Sequence, residues 1–289
     1  MISPELEDPQ LPKRRISCSD SAFPALSHEA ALMVINDLGI EAVDICVFAG
    51  YRNNPPRTVV QEPQRAAEMT FERLQRSSLD AVDVFAMIGD PWDALAVNHP
   101  DAEERAEAYR QFEALLVFAR VLGSPALTIL PGADFEGVDP HAGLALAATE
   151  LQRRAERASE VGIELAIEPH VGSIVATPER TRELLELAPQ VLLTLDPSHF
   201  IYQGIAQDDL EPLLARTRHV QLRQASPGNI QTPVHEGSMD IARFVRQLDE
   251  SGYPGYLGIE YQWERAMDFN RVDCIGETAA MRDLLNNLR

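Results

Sequence analysis

Four apolar runs in the second half of the chain each reach a side chain able to bind a metal ion through oxygen. They are LAIEPH at Glu168, LLTLDPSH at Asp196, HVQLRQ at Gln221 and YLGIEYQ at Glu260. Short runs of this composition are expected to form buried strands. Side chains alternate along a strand, so Ala166 shares a face with Glu168, Thr194 with Asp196, His219 with Gln221 and Gly258 with Glu260. If the four strands stand together, the small residues Ala166 and Gly258 leave room for an ion beneath two of the ligands. A single carboxylate at a strand end is as readily a helix cap or a solvated loop acid. Three facing one another repel unless a proton or a cation bridges them, and a divalent metal is the simplest resolution. The expected ligands are Glu168, Asp196, Gln221 and Glu260. An all-oxygen set suits Mn²⁺ or Mg²⁺ better than zinc, whose sites favour nitrogen and sulfur.

Other side chains near these strand ends are candidates for holding a substrate. His199, three residues after Asp196, and His170, two after Glu168, lie over the same mouth, where each could meet a substrate oxygen or simply pack in its loop. Arg223 has the inward parity of Gln221. It could bind a carboxylate or phosphate in a bidentate way, or pair with one of the 45 acids of the chain. Trp92, Trp263 and Phe23 follow strands and could wall a pocket or serve as ordinary packing. His219 lies deeper and reads as a satisfied interior histidine, and His235 as a solvated loop residue.

The elements that must position these residues follow an alternating pattern. Eight strand-like runs are separated by amphipathic stretches: roughly Arg15 to Ser19, Ala42 to Phe48, Ala81 to Ile88, Ala126 to Leu130, Gly162 to Glu168, Val191 to Asp196, His219 to Arg223 and Tyr256 to Tyr261. Repeated strand–helix units imply a parallel sheet, and eight is the number that closes a (β/α)8 TIM barrel. Asp101 with Glu104 and Asp208 with Glu211 have capping-box spacing, and Asp139-Pro140 and Thr177-Pro178 place a cap before a proline at the first helical position. Gly39, Gly123, Gly162 and Gly252 are placed to end helices in the left-handed conformation. A doubly wound open sheet would usually carry a glycine-rich turn after its first strand, where this chain has Ser19-Asp20-Ser21. The expected organisation is a polar N-terminal tail over 1–14 and one barrel domain over 15–289.

Composition removes several classes of function. With 25 Lys+Arg against 45 Asp+Glu, the formal charge of −20 argues against a nucleic-acid partner, which needs a basic face. Lys13 is the only lysine and lies in the polar tail, so imine chemistry on a buried amine is improbable. No GK[ST] or G-x-G-x-x-G phosphate loop occurs. Cys18, Cys46 and Cys274 lack disulfide or metal spacing. The opening MISPELEDPQLPKRR has no apolar signal region and no run approaches the ~18 residues of a membrane span, giving the expectation of a cytoplasmic protein without membrane partners. A symmetric homo-oligomer is the ordinary prior for a soluble enzyme.

From Gly162 to Glu264 the chain resembles the xylose-isomerase-like barrel superfamily of sugar isomerases and epimerases, which also contains endonuclease IV. In that family a Glu, an Asp, a His or Gln and a second Glu bind one metal at the ends of strands five to eight, matching Glu168, Asp196, Gln221 and Glu260. The hydroxypyruvate isomerase branch carries Gln in a His-Ile-Gln context followed by Pro-Gly, similar to His219-Val220-Gln221 and Pro227-Gly228 here. Arg223-Gln224-Ala225-Ser226 departs from that branch in a stretch that faces substrate. Endonuclease IV needs histidines on early strands, where this chain has VFAGYR and AMIGD. The resemblance implies that Glu168 and Glu260 move a proton through a metal-stabilised enediolate of a small keto or aldehyde sugar or sugar acid, with His199 touching substrate. The implied activity is an isomerase or epimerase. The alternatives are a decarboxylase or lyase, such as a dehydratase, acting on a 3-oxo sugar acid, and a binding protein holding a structural ion.

Overall fold

A computed structural model of the chain describes residues 15–288, so the expected tail over 1–14 lies outside the described residues. Ten strands form: β1 (Ile16–Ser19), β2 (Ala42–Phe48), β3 (Asp80–Met87), β4 (Ala126–Ile129), β5 (Glu164–Ile167), β6 (Leu192–Leu195), β7 (Thr217–Leu222), β8 (Gln224–Ser226), β9 (Asn229–Thr232) and β10 (Leu257–Ile259). Eight of them close a barrel in the order β1-β10-β7-β6-β5-β4-β3-β2, with every pairing parallel. The sequence reading finds these eight to within two residues at most ends. It misses β8 and β9, a short antiparallel hairpin that follows β7 directly and reads in sequence as one irregular loop.

The helices between strands are α1 (His28–Asp37), α2 (Pro56–Gln61), α3 (Pro63–Arg76), α4 (Ala102–Leu122), α5 (Pro140–Glu160), α6 (Pro178–Leu187), α7 (Ser198–Tyr202), α8 (Glu211–Leu214), α9 (Ile241–Glu250) and α10 (Cys274–Asn287). Asp139 and Thr177 cap α5 and α6 as expected, each accepting a backbone N–H while proline fills the first helical position. Asp101 caps α4 by accepting from Glu103 N. Asp208 is no cap. It lies inside a short 3-10 turn, Gln207–Leu210, whose preceding residue is Ala206. Gly39, Gly123, Gly162 and Gly252 all have φ between 74° and 84°. No helix among the described residues is long and apolar enough to cross a membrane.

The main core lies between the barrel and its helices, where outward strand residues such as Ile45, Val84, Leu165 and Leu193 pack against Ile35, Leu115 and Leu151. The barrel interior is polar at its floor. His219 Nε2 lies 3.0 Å from Asp44 Oδ2, both fully buried, and Thr128 and Thr194 share a 2.6 Å hydroxyl hydrogen bond across the lumen. His219 is thus an interior histidine, as expected, but paired only through Nε2, with Nδ1 buried and without a hydrogen-bond partner. Gly258 is required here, because a Cβ at this position would stand 2.6 Å from Asp44 Oδ2 and 2.9 Å from His219 Nε2.

Candidate active site

Above that floor, the strand ends bring the four expected ligands and Arg223 into one buried group. The backbone N–H of Glu168 donates to Ile129 O at 3.2 Å and that of Glu260 to Leu222 O at 3.0 Å, so both side chains are anchored by continuation of the strand ladder. Asp196 Oδ1 accepts from Ser198 N at 2.8 Å, a local turn that fixes the carboxylate as the chain enters α7. Glu168, Asp196, Gln221 and Glu260 are all buried.

Gln221 is held by its nitrogen. Nε2 donates to Glu260 Oε1 at 3.1 Å, leaving the carbonyl Oε1 buried with no hydrogen-bond partner. Buried acceptors are nearly always satisfied, so an orphan oxygen beside three carboxylates fits a cation ligand. The donor set is therefore compatible with the hard divalent ion expected from the sequence.

Arg223 already supplies one positive charge to this group. Its Nη2 donates to Asp196 Oδ2 at 2.7 Å and lies 3.5 Å from Glu260 Oε2, while Nε donates to Ser198 Oγ at 3.0 Å. Burial alone would disfavour its charge, but Asp196, Glu260 and Glu168 reverse that and keep the guanidinium protonated. The Phe269 ring covers it at 5.2 Å, and Nη1 is buried without a partner. Burial likewise pushes Glu260 well above the usual carboxylate range, with Arg223 opposing the shift and Glu168 adding to it.

His199 joins the group from α7. Its Nε2 lies 3.7 Å from both Glu168 Oε1 and Asp196 Oδ2, and a ligand atom from each of these three residues can be chosen within 4.8 Å of the others. Nδ1 accepts the Val171 N–H at 3.3 Å, and Nε2 lies 3.3 Å from Arg223 Nη2. His170 also lines the cavity at the barrel mouth, with burial depressing its basicity, and Trp92 meets its ring edge-on at 4.9 Å.

The cavity over these residues has an open volume of about 850 Å³, counting solvent at its mouth. It brings together Glu168, His170, His199, Arg223, Glu260 and Trp92. Two expected wall residues are elsewhere. Phe23 is 5% exposed and belongs to the main core, and Trp263 is 47% exposed in a neighbouring surface depression with Tyr51 and Arg52. His235 is exposed beside Glu236. The cause for Trp263 is phase: Gln262 and Glu264 keep the inward parity of Glu260, and both line the cavity. Gln262 Nε2 donates to Ser21 Oγ at 2.9 Å and to Glu260 Oε1 at 3.3 Å, and Glu264 accepts from Tyr51 Oη at 2.9 Å. Strict alternation from Glu260 could have found them.

The family model for the xylose isomerase-like TIM barrel matches residues 32–289. A putative hydroxypyruvate isomerase from Streptomyces coelicolor is 29% identical over 180 residues, 55% of this chain and 61% of the relative. An inosose dehydratase from Clostridium perfringens is 27% identical over 140 residues, 40% of this chain and 46% of the relative. Each match thus spans less than two thirds of the curated relative. Among solved structures, a xylose isomerase-like TIM barrel protein from Mycobacterium smegmatis in complex with magnesium superposes with a TM-score of 0.69 at 14% identity, covering 95% of this chain and 97% of that one. At that identity the likeness is one of fold. Together with the closed barrel, the match over residues 32–289 establishes that the chain belongs to the xylose isomerase-like TIM barrel family.

Proposed function

We propose that the protein is a divalent-metal-dependent isomerase or epimerase of a small keto or aldehyde sugar or sugar acid, acting by proton transfer next to a carbonyl. What supports this reading is the burial of Glu168, Asp196, Gln221 and Glu260 at neighbouring strand ends, with Arg223 reaching both Asp196 and Glu260 and Gln221 Oε1 left without a hydrogen-bond partner. Those four residues would hold the ion, Mn²⁺ or Mg²⁺. Once bound it would polarise the substrate carbonyl and stabilise the negative charge that develops as the neighbouring proton leaves.

The protein's own groups supply the remaining steps. Glu168 and Glu260 are the pair that would take and return the proton. Burial raises the proton affinity of Glu260, whose Oε1 accepts from Gln221 and Gln262. His199, oriented by Val171 N at Nδ1 and by Arg223 at Nε2, would stand beside a substrate oxygen. His170 and Trp92 close one side against water.

A second reading rests on Arg223. Its buried, unpartnered Nη1 suits the carboxylate of an oxidised sugar, which would make the protein a decarboxylase or a dehydratase-type lyase, and the relative named inosose dehydratase favours the latter. Incubating the metal-loaded protein with a panel of ketoses and keto acids in D₂O tests both. Deuterium at the carbon beside the carbonyl of recovered isomers supports the first reading, and release of CO₂ or water without isomer formation selects the second. Turnover with complete retention of the original hydrogen contradicts both.

A further inference from the structure

The mouth of the barrel is divided into two chemically different halves. Strands β5, β6, β7 and β10 carry the carboxylates, Gln221 and Arg223. Opposite them, the inward positions of β2, β3 and the residue after β4 are Phe48, Phe85, Met87 and Leu130, joined by Trp92 from the loop after β3. The barrel closes with β2, β3 and β4 as neighbours, so these side chains form one continuous wall. Phe48 and Phe85 meet edge to face at 5.0 Å, and Met87 and Leu130 pack on them.

This wall is separate from the main core. It is a small apolar cluster of its own at the top of the lumen, whereas the same strands place Asp44, Asp83 and Thr128 in the floor below. The floor is polar and closed, while the apolar layer faces an open cavity. Among the described residues of this wall, the strong hydrogen-bonding side-chain groups are the Trp92 indole N–H and the Tyr51 hydroxyl, which already donates to Glu264. Distal hydroxyls of a free sugar laid on Phe48, Phe85, Met87 and Leu130 would lose water without finding partners in those side chains.

Resting on the proton-transfer reading, we infer that the preferred substrate is amphipathic: an α-hydroxycarbonyl head held by the β5–β10 side and an alkyl or aryl group lying against Phe48, Phe85, Met87, Leu130 and Trp92. The head keeps the enolisable carbon beside Glu168 and Glu260. The tail gains by leaving water on the wall that offers a sugar chain almost nothing.

Two probes share a hydroxymethyl ketone head and differ from the third carbon outward: 1-hydroxy-4-phenylbutan-2-one and erythrulose. Calorimetric titration of the full chain with magnesium is expected to give the aryl ketone a Kd at least tenfold lower, about 1.4 kcal/mol. In Trp92→Gln and Leu130→Asn, with folding checked by circular dichroism, the ratio of the two constants should fall towards one. Equal binding, or tighter binding of erythrulose, by the unmodified protein overturns the inference, as does a ratio that both variants leave unchanged. Deuterium exchange at the hydroxymethyl carbon is read in the same samples. Exchange with both probes at equal affinity removes this inference and keeps the proton-transfer reading, whereas the aryl preference without exchange keeps this inference and removes that reading.

Discussion

Gln221 gives its amide N–H to Glu260 Oε1 at 3.1 Å, and that contact alone decides which end of the Gln221 side chain is free. The carbonyl oxygen is left buried and without a hydrogen-bond partner. A glutamate at this position would add a fourth negative charge, and an apolar residue would remove both the acceptor and the donor that steadies Glu260.

Gln221→Met keeps the volume and deletes both contacts. Mn²⁺ affinity, followed by calorimetry, is expected to drop on the order of 100-fold, the scale seen when groups that orient a ligand are lost. Unfolding stability should fall by only about 1–3 kcal/mol, the cost of one unsatisfied buried group. Unchanged Mn²⁺ affinity would remove Gln221 from the ligand set.

Arg223 acts as the resident cation of the carboxylate group, at 2.7 Å from Asp196 Oδ2 and 3.5 Å from Glu260 Oε2. Arg223→Met therefore strands buried negative charge. In the presence of chelator the variant is expected to lose about 3–5 kcal/mol of stability. Added Mg²⁺ should raise its melting temperature by more than it raises that of the unmodified protein, because the ion then replaces a missing charge. Equal Mg²⁺ shifts would show that Arg223 and the ion site are uncoupled.

The floor of the barrel gives a pH signature. Burial raises Asp83 from 3.8 to about 6, with His219 and Arg218 opposing the shift, and neither carboxyl oxygen has a hydrogen-bond partner. The folded state holds this proton more tightly than the unfolded state. Its contribution to stability is thus present below about pH 4 and is lost as the pH rises towards 6. Asp83→Asn should flatten that part of the stability profile and, at pH 7, be more stable by about 3 kcal/mol at most. Denaturant unfolding at pH 4, 5, 6 and 7 measures it.

Gly258→Ala places a methyl group 2.6 Å from Asp44 Oδ2 and 2.9 Å from both His219 Nε2 and Val220 O. The last of these is backbone and cannot swing aside. A loss of about 1–3 kcal/mol is expected from overpacking, together with weaker metal binding, because β10 carries Glu260 two residues further on. Chemical denaturation and Mn²⁺ titration of the same preparation check both effects.

The barrel was legible because its strands are short apolar runs separated by helices with Asp-Pro and Thr-Pro starts and glycine ends, signals that are local in the chain. The acidic half of the site was legible for the same reason: Glu168, Asp196 and Glu260 follow their strands, and Gln221 stands near the end of its own, in fixed parity. Parity also explains the misplaced aromatic, since Trp263 is out of phase with Glu260 whereas Gln262 is in phase. The Asp44–His219 pair joins residues 175 positions apart, and no local pattern announces it. Phe48, Phe85 and Met87 read only as strand residues, because which side of a strand faces a cavity is settled by closure of the barrel. The β8–β9 hairpin was hidden by its length of three and four residues.

The proposed site would hold one ion through four oxygen ligands at the barrel mouth. Titrating the full chain with Mn²⁺ after chelator treatment, beside Asp196→Asn and Glu260→Gln, tests this most directly. One ion per chain, with each variant weakened on the order of 100-fold or more, is the expected result. No saturable binding by the unmodified protein, or variants that bind as it does, would contradict it.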